Sequence, residues 1–200
     1  MKKEIIVLCV IPTLGHGGAQ KIMVDVANYL SGYSDVDGEF KITVLTLKDN
    51  SSNFYDVDAG VDLDFIDVIE GDKTSLIAML KSLLKLHKYI KNMQPDIILS
   101  FQDIANFLVL IGSLGTDAKV IVSERQDTNY YRLPRIRKIV RSVLYRLSKK
   151  IVVQTSTIGD QFPAHLKNRV IVIPNHVEVD VASATPKNMG IDGFLSLIHI

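Results

Sequence analysis

Apolar runs and amphipathic stretches alternate along the chain. The runs are IIVLCVI (5–11), KITVLTL (41–47), VDLDFIDV (61–68), DIILSF (96–101), KVIVS (119–123), KIVVQT (150–155) and RVIVIP (169–174). Most are rich in Val and Ile and do not alternate with polar residues, which suits strands covered on both faces of a parallel sheet. VDLDFIDV does alternate, so it is assigned to a sheet edge with one wet face. Between the runs, residues 18–31 place Ile22, Val26, Ala27 and Leu30 on one helical stripe, and residues 74–92 align Leu76, Leu80, Leu83, Leu84, His87 and Ile90. Further helices are expected over 104–114, 132–148 and 156–164, and Pro95 marks a break before the fourth run. Strand–helix alternation of this kind implies right-handed crossovers and a doubly wound, mostly parallel α/β sheet of the Rossmann type.

After Val177 the periodicity stops. EVDVASATPKNMGIDG is small and polar, as a linker is. The expected organisation is one domain over 1–176, a linker over 177–193, and in 194–200 either the start of a second domain or a foreign tail. The chain has 200 residues, 47% of them hydrophobic and 22% charged, which is ordinary for a globular protein. Its one cysteine, Cys9, lies in the first apolar run and is expected to be a small buried hydrophobe. MKKEIIVLCVIP is too interrupted by Glu4 and Pro12 for a signal sequence. No run approaches the roughly 20 apolar residues that span a bilayer.

The candidate chemistry starts in the loop after the first strand, IPTLGHGGAQ (11–20), with Gly15, Gly17 and Gly18. In an open α/β sheet, ligands bind beyond the carboxyl ends of the strands. There a helix start offers unpaired amides and partial positive charge to a phosphate. Gln20 stands where the dinucleotide fingerprint needs a third small residue, and Lys21 is followed by Ile22, so a P-loop is excluded. His16 is either a substrate contact or a solvated loop residue. Glu124 and Arg125 follow the fifth run; an arginine there suits a diphosphate, and a carboxylate an acceptor hydroxyl. The alternatives are a local ion pair or a cap, with Asp127 a candidate cap. Gln102 and Asp103 end the fourth run, and Asp103 is expected to cap the next helix.

IPTLGHGGAQKIMVDVANYL resembles the opening of family 4 glycosyltransferases of the GT-B fold, which show a strand, L-x-x-GGAE/Q and a helix. SERQD (123–127), IVVQT (151–155) and VIVIPNHV (170–177) fit the same family in order. SERQD followed by YY resembles members acting on polyprenyl-diphosphate-linked sugars. The resemblance implies the acceptor-side half of a retaining enzyme that uses a UDP- or GDP-linked sugar and no further cofactor or metal. It implies Gly17 and Gly18 as donor-phosphate contacts and His16, Glu124 and Arg125 as acceptor contacts. By the same resemblance, the catalytic residues are expected in a second, donor-binding lobe and none is assigned among these residues. Pro174-Asn175-His176 departs from the usual Pro-Asn-Gly, and Glu124 stands where many relatives carry histidine.

Charge changes the picture once it is mapped. The net charge is +1, but residues 132–150 hold eight basic residues and no acidic one, leaving 15 basic against 22 acidic, a net of −7, elsewhere. Ile136, Ile139, Val140, Val143 and Leu147 form an apolar stripe, expected to pack on the sheet. Arg135, Lys138, Arg141, Arg146 and Lys149 lie mainly off it, placed to meet an anionic membrane, in keeping with a lipid-linked acceptor on the cytoplasmic face. No interleaved aromatic platform supports nucleic-acid binding. Two other readings stand beside the transferase: a nicotinamide-dependent oxidoreductase, which Gln20 disfavours, and a non-catalytic membrane-surface module.

Overall fold

The computed structural model describes residues 3–33, 38–48, 54–68, 76–125 and 134–175. Asp127, His176, the linker at 177–193 and the segment 194–200 lie outside the described residues. Strands β1 (Lys3–Ile11), β2 (Gly38–Thr46), β3 (Val61–Phe65), β4 (Ile97–Phe101), β5 (Lys119–Glu124), β6 (Lys150–Val153) and β7 (Val170–Val172) form one sheet in the order β3-β2-β1-β4-β5-β6-β7. Each pairing is parallel. The alternating run is an edge strand, as its polarity requires: in β3 only Val61 is buried. The continuous runs sit inside; Val7, Leu8, Cys9, Val10 and Ile11 of β1 have no exposed surface. Burial pushes the Cys9 thiol up to about 12, so this cysteine is a packing residue.

Helices α1 (Gly18–Ser31), α2 (Leu76–Met93), α3 (Asp103–Gly112), α4 (Arg135–Leu144) and α5 (Ser156–Asp160) connect the strands. A 3₁₀ turn, Tyr145–Leu147, extends α4, and another covers Ala164–Arg169; the helix expected over 156–164 already ends at Asp160. The core has two layers. On one face, Ile22, Val26, Ala27 and Leu30 of α1 meet the side chains of β1, β2 and β4. On the other, α2, α3 and Tyr145 cover Leu8, Ile98, Val122 and Ile151.

The stripe expected for α2 is only partly the buried one. Leu86 and Ile90 are in the core, whereas Leu80 and Leu84 are exposed. Among the described side chains, α2 enters the core through Leu86 and Ile90. His87 belongs to that packing: its Nδ1–H donates to the Gly112 carbonyl at 2.9 Å.

Candidate functional site at the carboxyl edge

The strand order reverses direction between β1 and β4, which makes their carboxyl ends the switch point of the sheet. The glycine loop lies on the β1 side. Gly17 has φ 154° and ψ 155°, a conformation that is essentially glycine's alone. No side chain caps α1, and its first turn holds no acidic residue. An anion there would face no carboxylate of that turn. The loop is clasped from the side. The Tyr55 hydroxyl accepts from the Gly17 N–H at 3.2 Å and donates to the Gly17 carbonyl at 3.0 Å. The Gly17 amide is therefore already engaged, and a phosphate using it must displace Tyr55. The Gly18 side of the loop is open; a Cβ placed there meets nothing. His16 is exposed and lies against the Phe54 ring, centroids 3.4 Å apart.

On the β4 side, Gln102 carries φ 74° and ψ 148°. For a residue with a Cβ this costs on the order of 1–3 kcal/mol, and such strain gathers at functional sites. Gln102, not Asp103, is the N-cap of α3, and it makes no side-chain cap bond. Asp103 is instead the first helical residue, where its charge suits the helix dipole. This corrects the expected role of Asp103.

Glu124 ends β5 with 1% exposure, turned into the protein. Tyr145 donates to its Oε2 at 3.0 Å, and the Arg141 guanidinium stands 3.5 Å from the same oxygen. Asn106 donates to the Tyr145 hydroxyl at 3.0 Å and to the Ser123 carbonyl at 3.2 Å. The Glu124 carboxyl is pushed up to about 7, chiefly by burial and next by the Asp103 charge, against the opposing pull of Arg141 and Tyr145. The acceptor contact expected of Glu124 is not available in this arrangement. A carboxyl sealed under Tyr145 and Arg141 holds elements together, which is the ion-pair alternative.

Arg125, one residue on, behaves differently. Its guanidinium lies 4.5 Å over the Phe101 ring at the end of β4, and its Nη1 donates to Asn175 Oδ1 at 2.6 Å. Gln154 donates to the same Asn175 oxygen at 3.3 Å, so the ends of β4, β5 and β6 and the residues after β7 meet there. Burial brings the Arg125 guanidinium down to about 10, still a cation at neutral pH. Among the described residues no carboxylate pairs with it, and its buried Nε has no hydrogen-bond partner. The guanidinium is thus held by a neutral amide and an aromatic face, and no described carboxylate neutralises its charge. The fixing residue, Asn175, lies 50 positions away in sequence. Nothing local in the sequence ties Asn175 to Arg125, so its role emerges only from the fold.

The basic helix departs most from expectation. Arg141 is 6% exposed and faces inward, with Glu124 on one side and the Phe162 ring 4.9 Å away on the other. It is therefore not one of the membrane-facing cations; the buried carboxylate of Glu124 holds it inside. Arg135, Lys138, Arg146 and Lys149 are exposed. The apolar stripe does not pack on the sheet: Ile136, Ile139, Val140, Val143 and Leu147 are exposed.

A cavity of about 650 Å³ lies at the opposite edge, beside Ile5, Ile97 and Lys119 at the amino ends of β1, β4 and β5. No strand presents its carboxyl end there, so it is not the site the topology favours. Among the described residues, no group of three or more His, Cys, Asp or Glu side chains is placed to hold a metal ion. No described helix is long and apolar enough to cross a membrane.

No protein-family profile matches the chain. Over 176 residues it is 23% identical to a Campylobacter jejuni enzyme, GalNAc-alpha-(1->4)-GalNAc-alpha-(1->3)-diNAcBac-PP-undecaprenol alpha-1,4-N-acetyl-D-galactosaminyltransferase; the match takes in 86% of this chain and 47% of that protein. Among solved structures, a glycosyltransferase from Rickettsia africae ESF-5 superposes with a TM-score of 0.64 at 14% identity, covering 98% of this chain and 50% of its own. Anabaena Alr3699/HepE in complex with UDP and glucose gives 0.60 at 13% identity, with 98% and 50% covered. A UDP-N-acetylglucosamine 2-epimerase gives 0.60 at 17% identity, with 92% and 53% covered. These likenesses show the fold, a Rossmann-like α/β unit as found in half of a GT-B architecture. The chain spans about half the length of the proteins it matches.

Proposed function

We propose that this chain is the N-terminal, acceptor-side lobe of a retaining, family 4 glycosyltransferase. The complete enzyme would move a sugar from a UDP- or GDP-linked donor to a polyprenyl-diphosphate-linked or polysaccharide acceptor at the inner face of the membrane. The observation that carries this reading is Arg125. It is a cation fixed by Asn175 and Phe101 at the carboxyl edge, with no carboxylate partner among the described residues. It stands over β4, which pairs with β1, so it is one strand from the glycine loop. The similarity to a transferase named for a diphospho-undecaprenol acceptor supports the same chemistry.

In this scheme Arg125 binds the acceptor diphosphate. The Gly18 end of the loop and the uncapped start of α1 meet part of the donor phosphate charge, with Tyr55 yielding the Gly17 amide. A second lobe supplies the rest, and its closure excludes water that would otherwise consume the donor. Glu124 acts as a positioning residue, holding α4 and α3 against the end of β5. His16 and Phe54 stand at the rim, where an acceptor glycan would pass.

The test is transfer of labelled sugar from UDP- and GDP-sugars to a polyprenyl-diphosphate-linked glycan, with this chain alone and with it joined to a donor lobe. The joined protein transfers sugar and the chain alone does not. Transfer by the chain alone overturns its assignment as half a catalyst, and no transfer by the joined protein overturns the transferase reading.

A further inference from the structure

Glu124 closes β5 and Arg125 follows it. Successive side chains of an extended chain point to opposite faces of a sheet. Glu124 turns into the layer of Tyr145, where Arg141 stands beside it. Arg125 turns the other way, over Phe101, whose ring belongs to the layer under α1. The sheet thus separates a cation from the carboxyl next to it in the chain.

On its own side of the sheet the guanidinium meets a carboxamide. Arg125 Nη1 and Gln154 Nε2 both donate to Asn175 Oδ1, at 2.6 and 3.3 Å. Two donors converging on one atom fix which end of the amide faces the arginine; reversed, the Asn175 amide would set donor against donor. Gln154 stands just past β6 and Asn175 just past β7, so one oxygen ties three strand ends together. An aspartate has the same size and offers the same oxygen. It would accept both bonds, the one from Arg125 strengthened by charge, and would cancel the cation that it held. For tying strand ends together aspartate is the better residue. For presenting a charge in a fixed direction asparagine is.

We infer that Asn175 is a positioning residue for a diphosphate: it orients the Arg125 guanidinium through a neutral acceptor and so leaves both its direction and its charge to the ligand. The neutrality of residue 175 then matters more than the bond it accepts. The inference rests on the proposed reading of Arg125 as a diphosphate contact and adds what that contact depends on.

The experiment is calorimetric titration of the full chain with inorganic pyrophosphate at neutral pH, with urea unfolding of each variant alongside. Asn175 is exposed, so its variants should fold. Asn175→Asp keeps both hydrogen bonds and a urea midpoint at or above the parent's, yet weakens pyrophosphate binding by about tenfold or more. Asn175→Ala leaves the charge but frees the guanidinium, and weakens binding about threefold. In an Arg125→Gln background Asn175→Ala has no further effect, because residue 175 acts only through the arginine. A role confined to stability predicts the reverse order, with Asn175→Asp harmless and Asn175→Ala the damaging change. Parent-like binding by Asn175→Asp overturns the inference. So does an effect of Asn175→Ala that persists without Arg125, which would make Asn175 a direct ligand contact. If Arg125→Gln weakens binding and both Asn175 variants bind as the parent does, the inference falls and the diphosphate reading stands. If the parent does not bind pyrophosphate, or Arg125→Gln binds it equally, that reading falls and takes the inference with it.

Discussion

Helices α1 and α4 each follow a strand of one sheet, and each carries an apolar stripe legible at helical spacing. In α1 the stripe, Ile22, Val26, Ala27 and Leu30, is buried. In α4 the stripe faces out and Arg141 faces in. The difference lies in what the sheet presents. Beneath α1 it offers Val7, Cys9, Ile42 and Val44, all apolar. Beneath α4, β5 ends in the buried carboxyl of Glu124, which requires a cation and a hydroxyl. Periodicity reveals that a helix has two faces; the neighbour decides which one is inside.

The largest effects should separate these two helices. Leu30→Ala removes core packing and costs about 2–5 kcal/mol at any pH. Arg141→Met leaves Glu124 without its cation and costs a similar ~3–5 kcal/mol above neutrality. That cost shrinks toward pH 5, because the carboxyl is already raised to about 7 and readily takes a proton. Urea unfolding at both pH values distinguishes the two; equal costs for Arg141→Met at pH 5 and pH 8 would break the comparison.

The parent protein should show the same carboxyl directly. The folded Glu124 is raised above its ordinary 4.5, so between those values the folded state holds a proton that the unfolded chain has released. Stability from this group is therefore greatest below about 4.5, falls as pH rises toward about 7, and is level beyond. Glu124→Gln removes that slope, measured as the pH dependence of the urea midpoint against the parent. A slope unchanged by the substitution would place its origin elsewhere.

Smaller changes sharpen the contrast. Tyr55→Phe releases the Gly17 amide and carbonyl and should cost about 1 kcal/mol, read by thermal unfolding. Gln102→Gly relieves the strained backbone and should gain about 1 kcal/mol in the same measurement. Ile139→Ser should change solution stability by less than about 0.5 kcal/mol, whereas Ile22→Ser, in the buried stripe of α1, should cost several-fold more.

The sheet was legible because parallel strands buried on both faces must be continuously apolar, and the alternating VDLDFIDV disclosed its own place at the edge. The end of α2 and the start of β4 followed from Pro95. What escaped depends on contacts distant in sequence. The Tyr55 clasp on Gly17 spans 38 positions and the Arg125–Asn175 bond spans 50. The inward turn of Arg141 depends on Glu124 and Phe162, neither of them on the same helix. Gln102 gave no signal because a positive φ at a strand end is imposed by its surroundings and not by the residue type.

Under the proposed function, Arg125 holds its charge for a diphosphate at the carboxyl edge. Its most direct test is titration of the chain with a short, water-soluble prenyl-diphosphate-linked sugar, comparing the parent with Arg125→Gln by calorimetry. The expected result is saturable binding that the substitution weakens about 10- to 100-fold, the loss for one charge-assisted hydrogen-bonding group. Equal affinity for the two proteins, or no binding by the parent, would contradict it.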